Sequence, residues 1–229
     1  MVKPGITNRE NPVFLSYVLS ENTPLYGEGT GIAFLPDKQI HNGDSCNTMM
    51  LTFPSHSGTH IDLPYHFNPK GKKLNDYGAN FWVFNQVETV DLTGSVCDGQ
   101  IIKPEILPHI ENCETDLLLI RTGYGNYRGT DRYKMTSPGL SSELAGYFRQ
   151  VFPKLRCIGM DLISISSYSN RDEGRNAHHA FLNPDEGEPI LLIEDMKLDK
   201  IGPFNKVLVA PLLIENLDGA PCTVFGFPA

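Results

Sequence analysis

The sequence predicts a single α/β domain built on a mixed sheet. Two observations lead there. Short runs rich in β-branched and apolar residues alternate along the chain with two amphipathic stretches of helical period. The chain also has 229 residues with no internal repeat, low-complexity tract or linker, a length that supports one substantial core rather than two small ones.

Taken in order, the strand-like runs are Val13 to Leu19, Val83 to Leu92, Leu117 to Thr122, Cys157 to Ile165, Pro189 to Ile193, Lys206 to Ile214 and Cys222 to Phe227. Ser141 to Val151 reads as a helix. Ser141 is placed to cap it, Glu143 favours the positive end of the helix dipole, and Leu144, Tyr147, Phe148 and Val151 form one apolar stripe. Asp172 to Leu182 reads as a second helix, with Asp172 as its cap and Asn183-Pro184 as its stop. The 17 prolines and 21 glycines imply many loops between these elements.

Composition narrows the function. The formal charge is -8 and the pI is near 5.3, with lysines and arginines dispersed, so no nucleic-acid partner is expected. No apolar run approaches the ~20 residues of a membrane span, and the segment MVKPGITNRE lacks the apolar region of a signal peptide. A cytoplasmic protein without a membrane partner is therefore expected. The five cysteines, Cys46, Cys97, Cys113, Cys157 and Cys222, form no CxxC pair and read as free thiols.

The densest chemistry lies between Ser55 and Phe67, where His56, His60, Asp62 and His66 fall within eleven residues. Imidazoles and a carboxylate so close together suit a divalent ion such as zinc, manganese or iron. All four residues have even parity and share one face of an extended chain. Gly58, Pro64 and two β-branched residues disfavour a helix, and Ser57 follows His56, so the HExxH pattern of helical zinc sites is absent. The reading is an extended segment on which His56, His60 and Asp62 converge, with Pro64 bending the chain to return His66 to the same centre.

The string His56-Ser57-Gly58-Thr59-His60-Ile61-Asp62-Leu63-Pro64-Tyr65-His66-Phe67 resembles the HxGTHxDxPxHF signature of the cyclase family of metal-dependent hydrolases, which includes kynurenine formamidases and isatin hydrolases. Similarity continues through Leu19-Ser20-Glu21-Asn22-Thr23-Pro24, Arg121-Thr122-Gly123-Tyr124, Gly159-Met160-Asp161-Leu162-Ile163-Ser164 and Asp218-Gly219-Ala220-Pro221. The resemblance implies the swivelling β/β/α fold and a homodimer or homotetramer. It also singles out His178, in Ala177-His178-His179-Ala180-Phe181-Leu182, and Glu194, which ends the strand Ile190-Leu191-Leu192-Ile193 and whose family counterpart reaches the metal centre. His179 reads as an exposed helix residue.

The implied activity is hydrolysis of a C–N amide bond, in an aryl formamide, a lactam or another cyclic amide, with one or two divalent ions, zinc or manganese foremost. On this reading the metal residues are His56, His60, Asp62, His66 and Glu194, with His66 and Glu194 on a second ion where two bind. His66 and His178 are the catalytic residues, and His178 protonates the leaving nitrogen. A lactonase, a ring-closing cyclase or a metal-binding protein without activity are the alternatives at the same site. For an aromatic or cyclic substrate, Phe53, Tyr65, Phe67, Phe81, Trp82 and Tyr124 are candidates for a stacking wall, and Arg171 and Arg175 for carboxylate binding.

Overall fold

The strand-like runs pair into one nine-stranded mixed sheet, seen in a computed structural model that describes residues 11–27, 29, 31–110, 112–199 and 202–229. In chain order the strands are β1 (Val13–Phe14), β2 (Ala33–Lys38), β3 (Thr48–Thr52), β4 (His60–Asp62), β5 (Val83–Phe84), β6 (Val87–Asp91), β7 (Ile101–Ile102), β8 (Leu117–Arg121), β9 (Gly139–Leu140), β10 (Cys157–Met160), β11 (Leu191–Glu194), β12 (Phe204–Pro211) and β13 (Gly219–Pro228). Three α-helices accompany them among the described residues: α1 (Asp131–Thr136), α2 (Glu143–Val151) and α3 (Arg171–Leu182).

The sheet runs in the order β5-β12-β13-β4-β11-β10-β8-β6, with β1 also on β13. Strands β6, β8, β10 and β11 are mutually parallel. From β11 through β4, β13 and β12 to β5 every pairing is antiparallel. The two edge strands β5 and β6 are separated only by Asn85 and Gln86, so the sheet curls until its edges meet and is nearly a barrel. Helices, parallel strands and antiparallel strands thus form three layers, the mixed α/β arrangement expected from the sequence.

Both faces of the parallel strands are covered, which explains their continuous apolar runs. In β8, Leu117 and Leu119 point into the curled sheet towards Ile61, Phe84 and Val207, while Leu118 and Ile120 point to the helix layer beside Leu144, Phe148 and Phe181. The alternation is the two-residue period of a strand. Burial of each such leucine contributes about 1.5–3 kcal/mol.

The helices fall close to their expected places. In α2, Leu144 and Phe148 are buried and Tyr147 and Val151 pack at the margin of the same core. Ser142 holds the cap position, and the Ser141 hydroxyl accepts the Glu143 N–H at 3.2 Å. Helix α3 starts at Arg171 after Asn170, so Asp172 is not its cap; it lies in the first turn, where it pairs with Arg175 at 3.1 Å. Asn183 and Pro184 do end the helix.

Several strand limits differ from the expectation. The run Val83 to Leu92 is two strands, because the N–H groups of Asn85 and Gln86 donate to Asp116 instead of to a neighbouring strand. Cys157 to Ile165 leaves the sheet after Met160, where Asp161 turns aside to accept the N–H groups of Thr122 and Gly123 at 2.7 and 2.9 Å. Strands β2 and β3 form a separate hairpin with no sequence forewarning.

Candidate metal centre

Strand β4 is the pivot of the site. It pairs with β11 in a register that sets His60 opposite Glu194 and Asp62 opposite Leu192. Residues of one parity share a face, so His60, Asp62 and Glu194 lie with Leu192 on the helix side, while Ile61 and Ile193 point into the curled sheet. Helix α3 covers that side and brings in His178, which is buried. Ahead of β4, Gly58 adopts φ +61°, a left-handed turn that suits glycine and returns His56 to the end of the strand. Behind it, a short turn at Pro64–His66 begins with the proline and carries His66 back, as expected.

Three imidazoles, of His56, His60 and His178, converge on the two buried carboxylates, Asp62 and Glu194. Asp62 Oδ1 lies 2.8 Å from His56 Nδ1 and 3.3 Å from His60 Nε2. Its other oxygen, Oδ2, lies 3.5 Å from His178 Nε2. Glu194 spans the same two imidazoles, with Oε2 3.4 Å from His60 Nε2 and Oε1 3.7 Å from His178 Nε2. The far nitrogens are tied back: His60 Nδ1–H donates to the Gly58 carbonyl at 2.8 Å, and His178 Nδ1–H donates to the Gly174 carbonyl at 2.8 Å. Each ring therefore turns Nε2 to the carboxylates, as a proton donor when charged and as the nitrogen that would hold an ion when neutral, an arrangement that metal-binding histidines require. Glu194 Oε1 also accepts the Ile165 N–H at 2.6 Å and the Ser164 hydroxyl at 3.1 Å, which fixes its orientation.

The remaining histidines are held by a residue that the sequence reading passed over. Asp218 accepts from His66 Nδ1 at 2.8 Å and from His56 Nε2 at 3.0 Å through a single oxygen, Oδ2. Its position beside Gly219-Ala220-Pro221 was visible only as part of a motif, without a role. His66 joins a potential ligand group with His56 and Asp62, and Glu194 joins one with His60 and Asp62. His66 and Glu194 therefore fall in different groups, unlike the pairing expected for a second ion.

Electrostatics matches the donor set. Burial opposes charge on His56, but Asp62 and Asp218 on either side outweigh it and hold its pKa up at about 9. Burial likewise opposes charge on His60 and His178, yet hydrogen bonds to Asp62, and for His60 also to Glu194, push both upward. Asp62 is kept well below the usual carboxylate range despite its burial, by His56, His178 and His60. Two buried acids surrounded by imidazoles need positive charge between them. These nitrogen and carboxylate donors fit a divalent cation.

Above the ligands is a cavity of about 320 Å³, at the lower end of the range for small-molecule sites, with polar groups at its base and Pro24, Leu25, Tyr26, Phe67 and Ile163 as apolar walls. The Phe67 ring stacks on His178 at 4.5 Å and 20°. Of the six aromatic residues considered from sequence, Phe67 alone lines this cavity. Phe81 and Trp82 belong to the core inside the curled sheet, Tyr124 to the core under the helices, Tyr65 stacks under Lys73, and Phe53 lines a separate groove. Tyr26 was not foreseen. Neither arginine lines the cavity: Arg171 lies over the Tyr168 ring at 4.3 Å, and Arg175 is engaged by Asp172.

Residues 13–167 match the family model described as "Putative cyclase". The chain belongs to the cyclase family. Among its relatives, the kynurenine formamidase of Geobacillus thermodenitrificans is 29% identical over 213 residues, covering 92% of this chain and 95% of that protein. That of Bacillus cereus is 26% identical over 209 residues, covering 90% and 92%. Similar solved structures include isatin hydrolase A from Ralstonia solanacearum, with TM-score 0.79, 18% identity and coverage of 96% and 92%. Isatin hydrolase A from Labrenzia aggregata, bound to benzyl benzoate, has TM-score 0.77, 20% identity and coverage of 95% and 93%. These two share the fold. The match to the cyclase-family model ends before α3 and β11, so tertiary structure alone brings His178 and Glu194 to the signature residues.

Proposed function

We propose that this cyclase-family protein is a metal-dependent amidohydrolase acting on the C–N bond of an aryl formamide or a cyclic aryl amide. The observation that carries the reading is the pair of buried carboxylates, Asp62 and Glu194, faced by histidine Nε2 atoms whose opposite nitrogens are tied to backbone carbonyls. The kynurenine formamidase relatives, each over 90% to 92% of this chain, supply the substrate class.

On this reading Asp62 is shared: it would serve with His56 and His60 on one side and with His178 and Glu194 on the other, a division that cuts across the tighter groupings of His56 with Asp62 and His66 and of His60 with Asp62 and Glu194. His178 is on this reading a ligand in place of the acid expected from sequence, because its Nε2 is directed at both carboxylates and its Nδ1 is occupied. These residues would hold a divalent ion, zinc or manganese, which would supply Lewis acidity by lowering the pKa of water and polarising a carbonyl oxygen. His66 is the proton-transfer group. Asp218 holds its Nδ1, which leaves Nε2 to take a proton from the attacking water and return it to the leaving nitrogen. Phe67, Leu25, Tyr26 and Ile163 bind a flat aromatic ring and exclude bulk water from the polar base.

The chain assembles as a homodimer in this reading. Leu35, Ile40, Met49, Met50 and Leu51, on or next to the β2–β3 hairpin, are 53% to 64% exposed, and the neighbouring Phe14, Val18, Leu212 and Leu213 are also exposed. These exposed apolar side chains are of the kind that a second copy of the chain would cover. Sedimentation of the full chain at a monomer mass at micromolar concentration excludes it.

The function is tested by assaying an aryl formamide, a cyclic aryl amide and an aryl ester with protein as purified, after chelation, and after return of Zn²⁺ or Mn²⁺. Hydrolysis of the amides that is lost on chelation and regained with metal supports the assignment. Metal-loaded protein that turns over none of the amides overturns it.

A further inference from the structure

Immediately after Glu194 the backbone enters a conformation that L-residues seldom adopt, with Asp195 at φ +50°. Such a residue persists where its surroundings over-determine it. Here they do so from every side. The Asp195 N–H donates to the Leu162 carbonyl at 2.7 Å, and its carbonyl accepts the Thr59 hydroxyl at 2.5 Å, one residue before His60. Its carboxylate, 2% exposed, takes a two-pronged pair from Arg128, with Nε 2.8 Å from Oδ1 and the terminal nitrogen 2.7 Å from Oδ2. The Tyr133 hydroxyl donates to Oδ1 at 2.6 Å, and the Arg128 guanidinium is itself stacked on the Tyr17 ring at 4.1 Å.

None of these groups belongs to the ligand sets. They instead lock a strained turn between two ligand-bearing segments, β4 through Thr59 and β11 through Asp195 itself. Arg128, and Tyr133 of α1, meet the end of β11 on one carboxylate, with the Tyr17 ring behind the guanidinium.

We propose that Asp195, clamped by Arg128 and Tyr133, is a positioning residue that holds the turn aiming Glu194 at His60 and His178, and so sets the protein's affinity for its divalent ion. The inference rests on the reading of Glu194 as a ligand. A bidentate guanidinium–carboxylate pair fixes both distance and plane, which a single point charge does not. Relaxing the clamp leaves every ligand in place while widening the range of positions that Glu194 samples.

The test titrates Mn²⁺ into the full chain, following free Mn²⁺ by electron paramagnetic resonance, for wild type, Asp195→Asn, Arg128→Lys, Tyr133→Phe and Glu194→Gln. Asparagine tolerates positive φ and keeps one acceptor oxygen, so Asp195→Asn isolates the loss of the charged clamp. Arg156→Lys is the control, since it weakens another arginine–aspartate pair, Arg156 to Asp116 at 3.1 Å, at the opposite end of the parallel strands. The expected result is a weakening of Mn²⁺ binding by about tenfold or more in Asp195→Asn, in the range known for residues that orient metal ligands, with a smaller loss in Tyr133→Phe and none in the control. Unchanged affinity in Asp195→Asn, or an equal loss in Arg156→Lys at matched melting temperature, overturns the positioning role while leaving Glu194 a ligand. Unchanged affinity in Glu194→Gln removes both readings. Should Asp195→Asn fail to fold, Tyr133→Phe decides, because it deletes one hydroxyl without changing the ring.

Discussion

The two halves of the candidate centre are built in different ways. His60, Asp62 and Glu194 stand on paired strands and His178 on a packed helix, all four 5% exposed or less. His56 and His66 stand on loops at the rim, with side chains 23% and 29% exposed, and depend on Asp218 for orientation. Strand register places the first group as firmly as the sheet itself. The second group can reorient and exchange protons with solvent. On the proposed reading the contrast is a division of labour: the rigid elements serve ion binding together with His56, and proton transfer falls to His66, which keeps access to water.

Removing the shared carboxylate should have the largest effect. Asp62→Asn is expected to abolish stable metal binding and to lower kcat/KM by more than about 100-fold, beyond the losses typical of residues that merely orient ligands. Elemental mass spectrometry beside the amide assay checks both. Retained metal at native stoichiometry would mean that Asp62 does not join the two ligand sets.

On the loop side, His66→Ala should lower kcat by about 10²–10⁴, the usual contribution of a general acid or base, with metal content intact. Asp218→Asn should act in the same direction but less, about 10-fold, because it leaves the His66 ring in place and disturbs only its orientation, together with the orientation and basicity of His56. If His66→Ala instead strips the metal, the rim histidine belongs with the buried half and the contrast collapses.

His56 gives the rim a pH response that can be measured. A protonated His56 cannot bind metal, and its pKa of about 9 lies above the ordinary 6.5. Metal affinity should therefore climb with pH, by about tenfold per unit for one displaced proton, as pH rises towards about 9, and level off above. In the metal-free protein the sign reverses. The raised pKa contributes stability that is fully present below 6.5 and is lost as pH rises through about 9. Calorimetric titration at several pH values reads the first trend and thermal melts of chelated protein the second.

The smallest effect is expected at the cavity wall. Phe67→Leu should raise KM for an aromatic amide about threefold to tenfold and leave kcat near native, since one stacked ring is worth about 0.5–1.5 kcal/mol beyond its buried area. Comparison with an aliphatic formamide sharpens this: a loss of equal size on both substrates would assign Phe67 to packing against His178.

Much of this was legible because the decisive signals are local. The even parity of His60 and Asp62 correctly placed both on one strand face, and Pro64 correctly announced the turn that returns His66. The amphipathic stripe of α2 and the Asn183-Pro184 stop of α3 were equally plain. Other features left no local trace. Helix α1 has six residues, too few for a periodic pattern, and it carries Tyr133 into the core. The β2–β3 hairpin exposes apolar and polar residues alike, so no face stands out from the pattern.

The sequence by itself determined the element types over most of the core, the identity of the metal-binding signature and, through the resemblance, the family and the candidacy of His178 and Glu194. Tertiary structure alone decided how these residues meet. The register of β4 on β11 sets Glu194 beside His60, α3 directs His178 Nε2 at both carboxylates, and β13 delivers Asp218 to His56 and His66. Tertiary structure likewise buried Trp82 and Tyr124 away from the cavity and turned Phe67 and Tyr26 into it. The reason is physical. Periodicity and propensity act over a few residues, whereas strand pairing and helix packing bring together groups more than 100 positions apart, and no local pattern encodes that distance.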